Sequence, residues 1–324
     1  MKVRWWQRIC QVLAILFVIV TVTCFGIDAV TAGHRRPPPG QLYVQAGDVR
    51  TRYRVWGTTG SPVILVHGAF ENADMWQPLA AALARDHRVY APDATGNGYS
   101  QRKPPYTAAH MAVQLLGFIN ALHLEQPVIV GHSSGAAIVA EAALRGGPSR
   151  IGGVVFLDGD ALLTGAGQRN PLAYLVLDPY RTAVFRLALR SDGLVRTAFA
   201  AVCGPRCPRL DQTGVDQWRR PFQVAGAEKA IWQMLRSGVI GLPTGRVAAL
   251  KYVAVGKAVI FGAQDSVFSK QTPAQTAQRI GAPPPTLIPN ARHLAFISDP
   301  EPVAAVIESL TAQVGRAAGS SGTV

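Results

Sequence analysis

From about residue 41 onward, short apolar runs alternate with longer stretches whose apolar residues recur every three or four positions. Residues 41–57, QLYVQAGDVRTRYRVWG, set two β-rich runs around Ala46, Gly47 and Asp48, which predicts a hairpin. PVILVHG, residues 62–68, is a continuous apolar run of strand length, the pattern of a strand buried on both faces. ENADMWQPLAAALAR follows with Met75, Leu79, Ala82 and Leu83 at helical spacing. HRVYAPD predicts another strand. In TAAHMAVQLLGFINALHL, Met111, Leu115, Phe118, Ile119 and Leu122 fall on one helical stripe. PVIVGHS, SGAAIVAEAALR and IGGVVFLDG then read strand, helix, strand. This rhythm predicts an α/β fold: a mostly parallel, doubly wound sheet with helices on both faces.

Between about 161 and 246 the rhythm breaks. Strand-like runs vanish, and short helical stretches carry Tyr174, Tyr180, Phe185, Phe199, Trp218, Phe222 and Trp232. KAVIFGAQD and PTLIPNARH resume the strand pattern, and PEPVAAVIESLTAQV reads as a closing helix with proline near its start. The broken stretch is therefore an insertion into one sheet. Residues 41–315 form the domain, and residues 316–324 are expected to be a disordered tail.

The N-terminus belongs to no such pattern. Lys2, Arg4 and Arg8 precede an apolar run from Ile9 to Ile27, and Val30-Thr31-Ala32 supplies small residues after it. Basic residues followed by an apolar run make residues 1–32 a signal peptide cleaved near Ala32, or an uncleaved anchor through residues 9–27. Either reading exports the rest of the chain. Residues 33–40, GHRRPPPG, read as a stiff spacer. Export agrees with the cysteines. Outside the targeting segment only Cys203 and Cys207 remain, a pair suited to a disulfide in an oxidising compartment and too poor in neighbouring ligands for a metal. The net charge of +13 falls largely on the inserted stretch, which holds eleven Arg and one Lys against four Asp and one Glu. No basic run carries a nucleic-acid motif. The charge fits an anionic membrane surface or a solvated basic face.

Gly131-His132-Ser133-Ser134-Gly135 sits between a predicted strand and a predicted helix. G-x-S-x-G in that context holds a serine on the tip of a sharp turn, and the register of the glycines selects Ser133 as nucleophile. The backbone N–H of Ser134, at the helix start, is placed to meet a developing oxyanion. A serine hydroxyl needs a base, and His293, after the last strand, fits best. The base needs an acid to orient it: Asp265, after a buried strand, is preferred, with Asp158 as the alternative acid and Asp160 behind it.

These segments together resemble the α/β-hydrolase superfamily, over residues from about 41 to 315. His67-Gly68-Ala69-Phe70 is similar to the family's oxyanion loop, and the segment from Asp93 to Ser100 to its D-x-x-G-x-G-x-S loop. The elbow and the loops of Asp265 and His293 follow in family order, with Arg292 where relatives often have glycine. The resemblance implies an oxyanion hole from the N–H groups of Ala69 and Ser134, a helical lid over about 161–246, and a bracing role for Asp93. It implies a Ser-Asp-His hydrolase with no metal and no organic cofactor, acting on a small acyl ester or lipid-like substrate. Acyltransferase, peptidase and C–C bond hydrolase chemistries share the fold, as would an inactive binding protein.

Overall fold

In the computed structural model, residues 2–163, 177–237 and 240–321 are described. Tyr174 and residues 322–324 lie outside them. The first element, α1 (Lys2–Thr31), is a single 30-residue helix that stands apart from the main core. Then come β1 (Leu42–Ala46), β2 (Val49–Trp56) and β3 (Pro62–Val66), followed by α2 (Gln77–Leu83) and β4 (Arg88–Pro92). The helix expected over 71–85 is split. A 3-10 turn, Ala73–Trp76, precedes α2, and Pro78 opens the α-helical part, where its missing N–H has no intrahelical acceptor to lose. Next are α3 (Ala108–Ala121), β5 (Val128–His132), α4 (Gly135–Gly146) and β6 (Gly153–Leu157).

The eight strands form one sheet in the order β1-β2-β4-β3-β5-β6-β7-β8, where β7 is Gly256–Gly262 and β8 is Thr286–Ile288. The β1–β2 hairpin and the β2–β4 pair are antiparallel, and every later pairing is parallel. The central strands alternate their side chains between two apolar layers. Ile64, Val66, Ile129, Val154 and Phe156 face one layer with α3 and α4. Val63, Leu65, Val128, Val130, Val155 and Leu157 face the other, with α2 and the C-terminal helix. Both faces are buried, which is why these strands read as continuous apolar runs.

Between β6 and β7 lies the inserted lid. Its described helices are α5 (Tyr180–Arg190), α6 (Asp192–Cys203), α7 (Gln212–Arg219), α8 (Ala227–Ser237) and α9 (Thr244–Ala248). A Cys203–Cys207 disulfide closes the end of α6. Phe199 stacks edge-on with Trp218 at 5.4 Å and ties α6 to α7. Residues 33–40 do not hang free: the Arg35 N–H donates to the Gln223 carbonyl at 2.9 Å, which joins the spacer to the lid. After β7 come α10 (Thr272–Ile280), the short α11 (Ala295–Ser298) and α12 (Pro300–Ser321). The helical backbone of α12 continues through residues 316–321, part of the stretch expected to be a disordered tail. Ala312, Ala317 and Ala318 are strong helix formers, and no proline follows Gly315 to force a stop.

Candidate active site

The strand β5 is buried along its length and ends at His132. Ser133 follows with φ +50°, the left-handed region, and α4 begins two residues later. For a residue with a Cβ this backbone costs about 1–2 kcal/mol. The neighbours make the turn possible. A Cβ at Gly131 would lie 2.4 Å from the Gly135 carbonyl oxygen, and one at Gly135 would lie 2.5 Å from that of Val66. Only glycines let strand, helix and the β3 loop approach this closely. The Ser133 N–H donates to the Leu157 carbonyl at 3.0 Å, so β6 fixes the tip of the turn. The Ser133 side of the turn remains partly exposed.

His293, in the loop after β8, is buried beside this elbow. Its ring lies 4.8 Å from that of His132. Its Nδ1 is 2.9 Å from Asp265 Oδ2, and the other Asp265 oxygen accepts from the Val267 N–H at 2.7 Å. Both carboxylate oxygens are thus held from two directions. Asp158, at the end of β6, is fully buried and takes the Gly262 N–H at 2.6 Å. Burial pushes its carboxyl well above the usual range, and neighbouring Asp265 adds to the effect. The Nδ1 of His293 is on Asp265, so of the two candidate acids Asp265 is the one that contacts His293, and Asp158 braces the β7 end. Asp160, the other strand-end carboxylate, closes its own turn by accepting from the Leu162 N–H at 3.0 Å.

The loop after β3 lies against the elbow: a Cβ at Gly68 would sit 2.9 Å from the Cβ of Ser133. His67 holds this loop to the end of β4. Its Nε2 accepts from the Ala94 N–H at 3.0 Å, leaving Nδ1–H to donate to the Gly68 carbonyl at 2.8 Å. Asp93 braces both sides, taking the N–H groups of Ala73 at 2.7 Å and Tyr99 at 2.8 Å. A cavity of about 140 Å³ opens here, bordered by Gly68, Ala69, Phe70, Ser134, Met234 and Leu235. Two loops and lid helix α8 therefore share one small apolar space. Arg292 turns away from His293: it reaches toward the lid and donates to the Ala201 carbonyl at 3.3 Å.

One feature escaped the sequence. Glu71 and His132 form a buried ion pair at 2.9 Å beneath the site. Burial alone would depress the His132 imidazole, but the charge and hydrogen bond of Glu71 outweigh it and hold the group up to about 9. Burial would raise Glu71, and the imidazolium instead keeps it below its usual value. The pair reaches outward at both ends. The Gly68 N–H donates to Glu71 at 2.8 Å, and His132 Nε2–H donates to the His293 carbonyl at 2.8 Å. The loop after β3, the elbow and the His293 loop are thereby tied together. A Glu three residues after H-G is a weak signal, and nothing in the spacing predicts that it meets the histidine of the elbow.

A model of the α/β-hydrolase fold matches residues 61–300. The non-heme haloperoxidase of Rhodococcus erythropolis is 28% identical over 247 residues, covering 74% of this chain and 85% of that protein. The 2-hydroxy-6-oxo-2,4-heptadienoate hydrolase of Pseudomonas putida is 35% identical over 107 residues, 32% of this chain and 38% of that one. The first curated relatives, uncharacterised mycobacterial proteins, are matched over about a third of their length (32%) at 30% identity. Among solved structures, a serine hydrolase of carbazole degradation superposes with a TM-score of 0.68 at 23% identity, covering 84% of this chain and 98% of that one. A bacterial membrane phospholipase A does so with 0.66 at 18%, covering 97% and 99%. At these identities the superpositions show the fold.

Proposed function

The chain belongs to the α/β-hydrolase fold family, and from that premise we propose that it is an exported serine hydrolase acting on carboxylic esters through Ser133, His293 and Asp265. The observation that carries the reading is the 2.9 Å contact between His293 Nδ1 and Asp265, beside an elbow that holds Ser133 in a left-handed conformation. Export rests on α1, whose residues Arg4–Thr31 are long and apolar enough to cross a membrane and lie outside the main core. Anchored or cleaved, this segment puts the domain beyond the cytoplasm.

In the mechanism, Asp265 holds Nδ1–H of His293, so Nε2 is the free base. It takes the Ser133 proton as the hydroxyl oxygen attacks the ester carbonyl. The negative charge that develops is met by the N–H groups of Ala69 and Ser134, fixed before the reaction starts. His293 then protonates the departing alcohol, leaving an acyl-enzyme. Water, deprotonated by the same nitrogen, releases the acid. The acyl group lies in the apolar cavity under Met234 and Leu235, so short acyl or lipid-like esters suit the site better than charged ones.

Turnover of a panel of p-nitrophenyl esters of rising acyl length tests this. Wild type should hydrolyse the short members, and Ser133→Ala should lose about six orders of magnitude in kcat, in the range seen for whole-triad loss. Retained turnover in the folded mutant would remove Ser133 from the mechanism. Carbon–carbon cleavage by the same residues is the second reading. A 2-hydroxy-6-oxo dienoate in the panel tests it, as the compound class in the name of one relative.

A further inference from the structure

Helix α1 does not stand alone. Thr21, Cys24, Ile27, Asp28 and Thr31 are its half-buried face, and that face meets lid helix α5. Thr21 Oγ1 and the Tyr180 hydroxyl are 2.6 Å apart, and the Phe17 and Tyr180 rings are 6.3 Å apart. One step further along both helices, Arg186 donates to the Asp28 carbonyl at 2.9 Å and reaches Thr31 Oγ1 at 3.4 Å. The two helices therefore run side by side in the same direction.

That register sets depths. The apolar run Ile9–Ile27 is about 28 Å long as a helix, close to the thickness of a hydrocarbon core. Thr21 lies six residues short of its outer end, so Tyr180 sits about 9 Å inside that boundary. The same lid segment leaves Leu177, Val184 and Leu187 exposed at 58%, 66% and 48%. Asp178 and Arg181, at the same end, close on each other as an ion pair, and Arg181 lies over the Trp232 ring at 5.4 Å. Where α1 ends, the lining turns basic. A cavity of about 310 Å³ is bordered by His34, Arg35, Arg186, Arg190, Arg219 and Glu228. Arg186 is paired with Glu228 at 2.9 Å, and Arg219 with Asp192 and Asp216. Among the described residues, Arg35 and Arg190 have no ion-pair partner. Glu228 Oε1 and Gln223 Oε1 are buried there without a donor.

We propose that α1 and α5 are seated together in the outer leaflet of an anionic bilayer, and that the cavity at their outer end takes a phospholipid head group. Its phosphate meets Arg35 and Arg190, and a hydroxyl-bearing head such as glycerol donates to Glu228 and Gln223. The inference rests on the anchored reading of α1. It also gives the site a source of substrate. Phe185 of α5 is 6.4 Å from Phe222, which is 6.4 Å from Phe70, so one aromatic line joins the basic cavity, which Phe185 and Phe222 border, to the apolar cavity bordered by Phe70 and Ser134.

The test uses the full chain with Ser133→Ala, so that it stands apart from the hydrolase reading, and with Cys10 and Cys24 replaced by serine. An environment-sensitive fluorophore is attached at Val184→Cys, or at Ser149→Cys, which is exposed at the opposite end of the sheet. The chain is reconstituted in 7:3 phosphatidylcholine–phosphatidylglycerol vesicles containing nitroxide-labelled acyl chains. Quenching at position 184 should exceed that at 149 at least threefold. Equal quenching would overturn the seating, as would a mature N-terminus after Ala32. Head-group binding is read with nitroxide on the head. Labelled phosphatidylglycerol should quench position 184 at least twice as strongly as labelled phosphatidylcholine, and Arg35→Gln with Arg190→Gln should abolish the difference. No preference in the parent, or an unchanged preference in the folded double variant, would overturn the head-group site.

Discussion

Replacing Glu71 by Gln should cost stability in a way that depends on pH. The substitution keeps the shape and leaves the buried His132 without its carboxylate. In the fold His132 is held up to about 9, against an ordinary 6.5. That difference corresponds to about 3 kcal/mol of stabilisation by the bound proton. Because the folded value is raised, this stability is fully present below about pH 6.5 and is lost as pH rises through 9. Glu71 has the opposite sense. Its folded value is lowered, so its contribution is present above the usual carboxylate range and is lost as pH falls below it. Wild type and Glu71→Gln should therefore differ by about 3 kcal/mol near pH 6 and by less than about 1 kcal/mol at pH 9.5. Urea unfolding of the full chain in detergent at the two pH values reads this directly. A difference of the same size at both would refute the claim that a charged His132 holds the site together. Activity provides a second reading. Glu71 and His132 hold Gly68 and the His293 carbonyl, so kcat should fall at least tenfold at pH 7 in the folded mutant.

Asp265→Asn should lower kcat about 10⁴-fold by releasing the His293 tautomer, whereas Asp158→Asn, which keeps its acceptor for the Gly262 N–H, should change kcat far less; steady-state kinetics on one soluble ester separates them. Ser133→Gly should abolish turnover and raise stability by about 1 kcal/mol, since glycine adopts φ +50° without strain; a stability loss on urea unfolding would contradict the strained-elbow argument. Thiol titration of the unfolded chain should count Cys10 and Cys24 before reduction and four thiols after it, and breaking the Cys203–Cys207 bond should cost about 2 kcal/mol, the entropy of a short loop. Met234→Trp should shift ester preference toward shorter acyl chains by filling the roof of the cavity; an unchanged chain-length profile would place the acyl group elsewhere.

The strands were legible because parallel strands buried on both faces leave unbroken apolar runs, and PVILVHG, PVIVGHS and IGGVVFLDG needed no other cue. The elbow was legible for a steric reason. Gly131 and Gly135 stand where any Cβ would strike backbone, so close approach writes itself into the sequence as two glycines. Asp158 and Asp265 both follow buried strands and both lie between Ser133 and His293, so chain order does not separate them; the family-like loop favours Asp265, and the fold brings it to His293. The bond between Glu71 and His132 was not legible, since it joins residues 61 positions apart through a loop with no period. The contacts of the spacer were not legible. Three prolines predict stiffness but not what the segment touches, and Arg35 in fact bonds to the lid. The tail failed for the opposite reason. Small and polar residues suggest disorder, yet Arg316 to Ser321 continue the helix that the preceding turns began.

The central claim is that Ser133 is a nucleophile activated by His293. Its most direct measurement is to label the full chain with a fluorophosphonate and locate the adduct by peptide mass spectrometry. The account predicts one adduct, on Ser133 and not on neighbouring Ser134, formed at least a hundredfold more slowly when His293 is replaced by Ala. An adduct on Ser134, or labelling of Ser133 at an unchanged rate without His293, would contradict it.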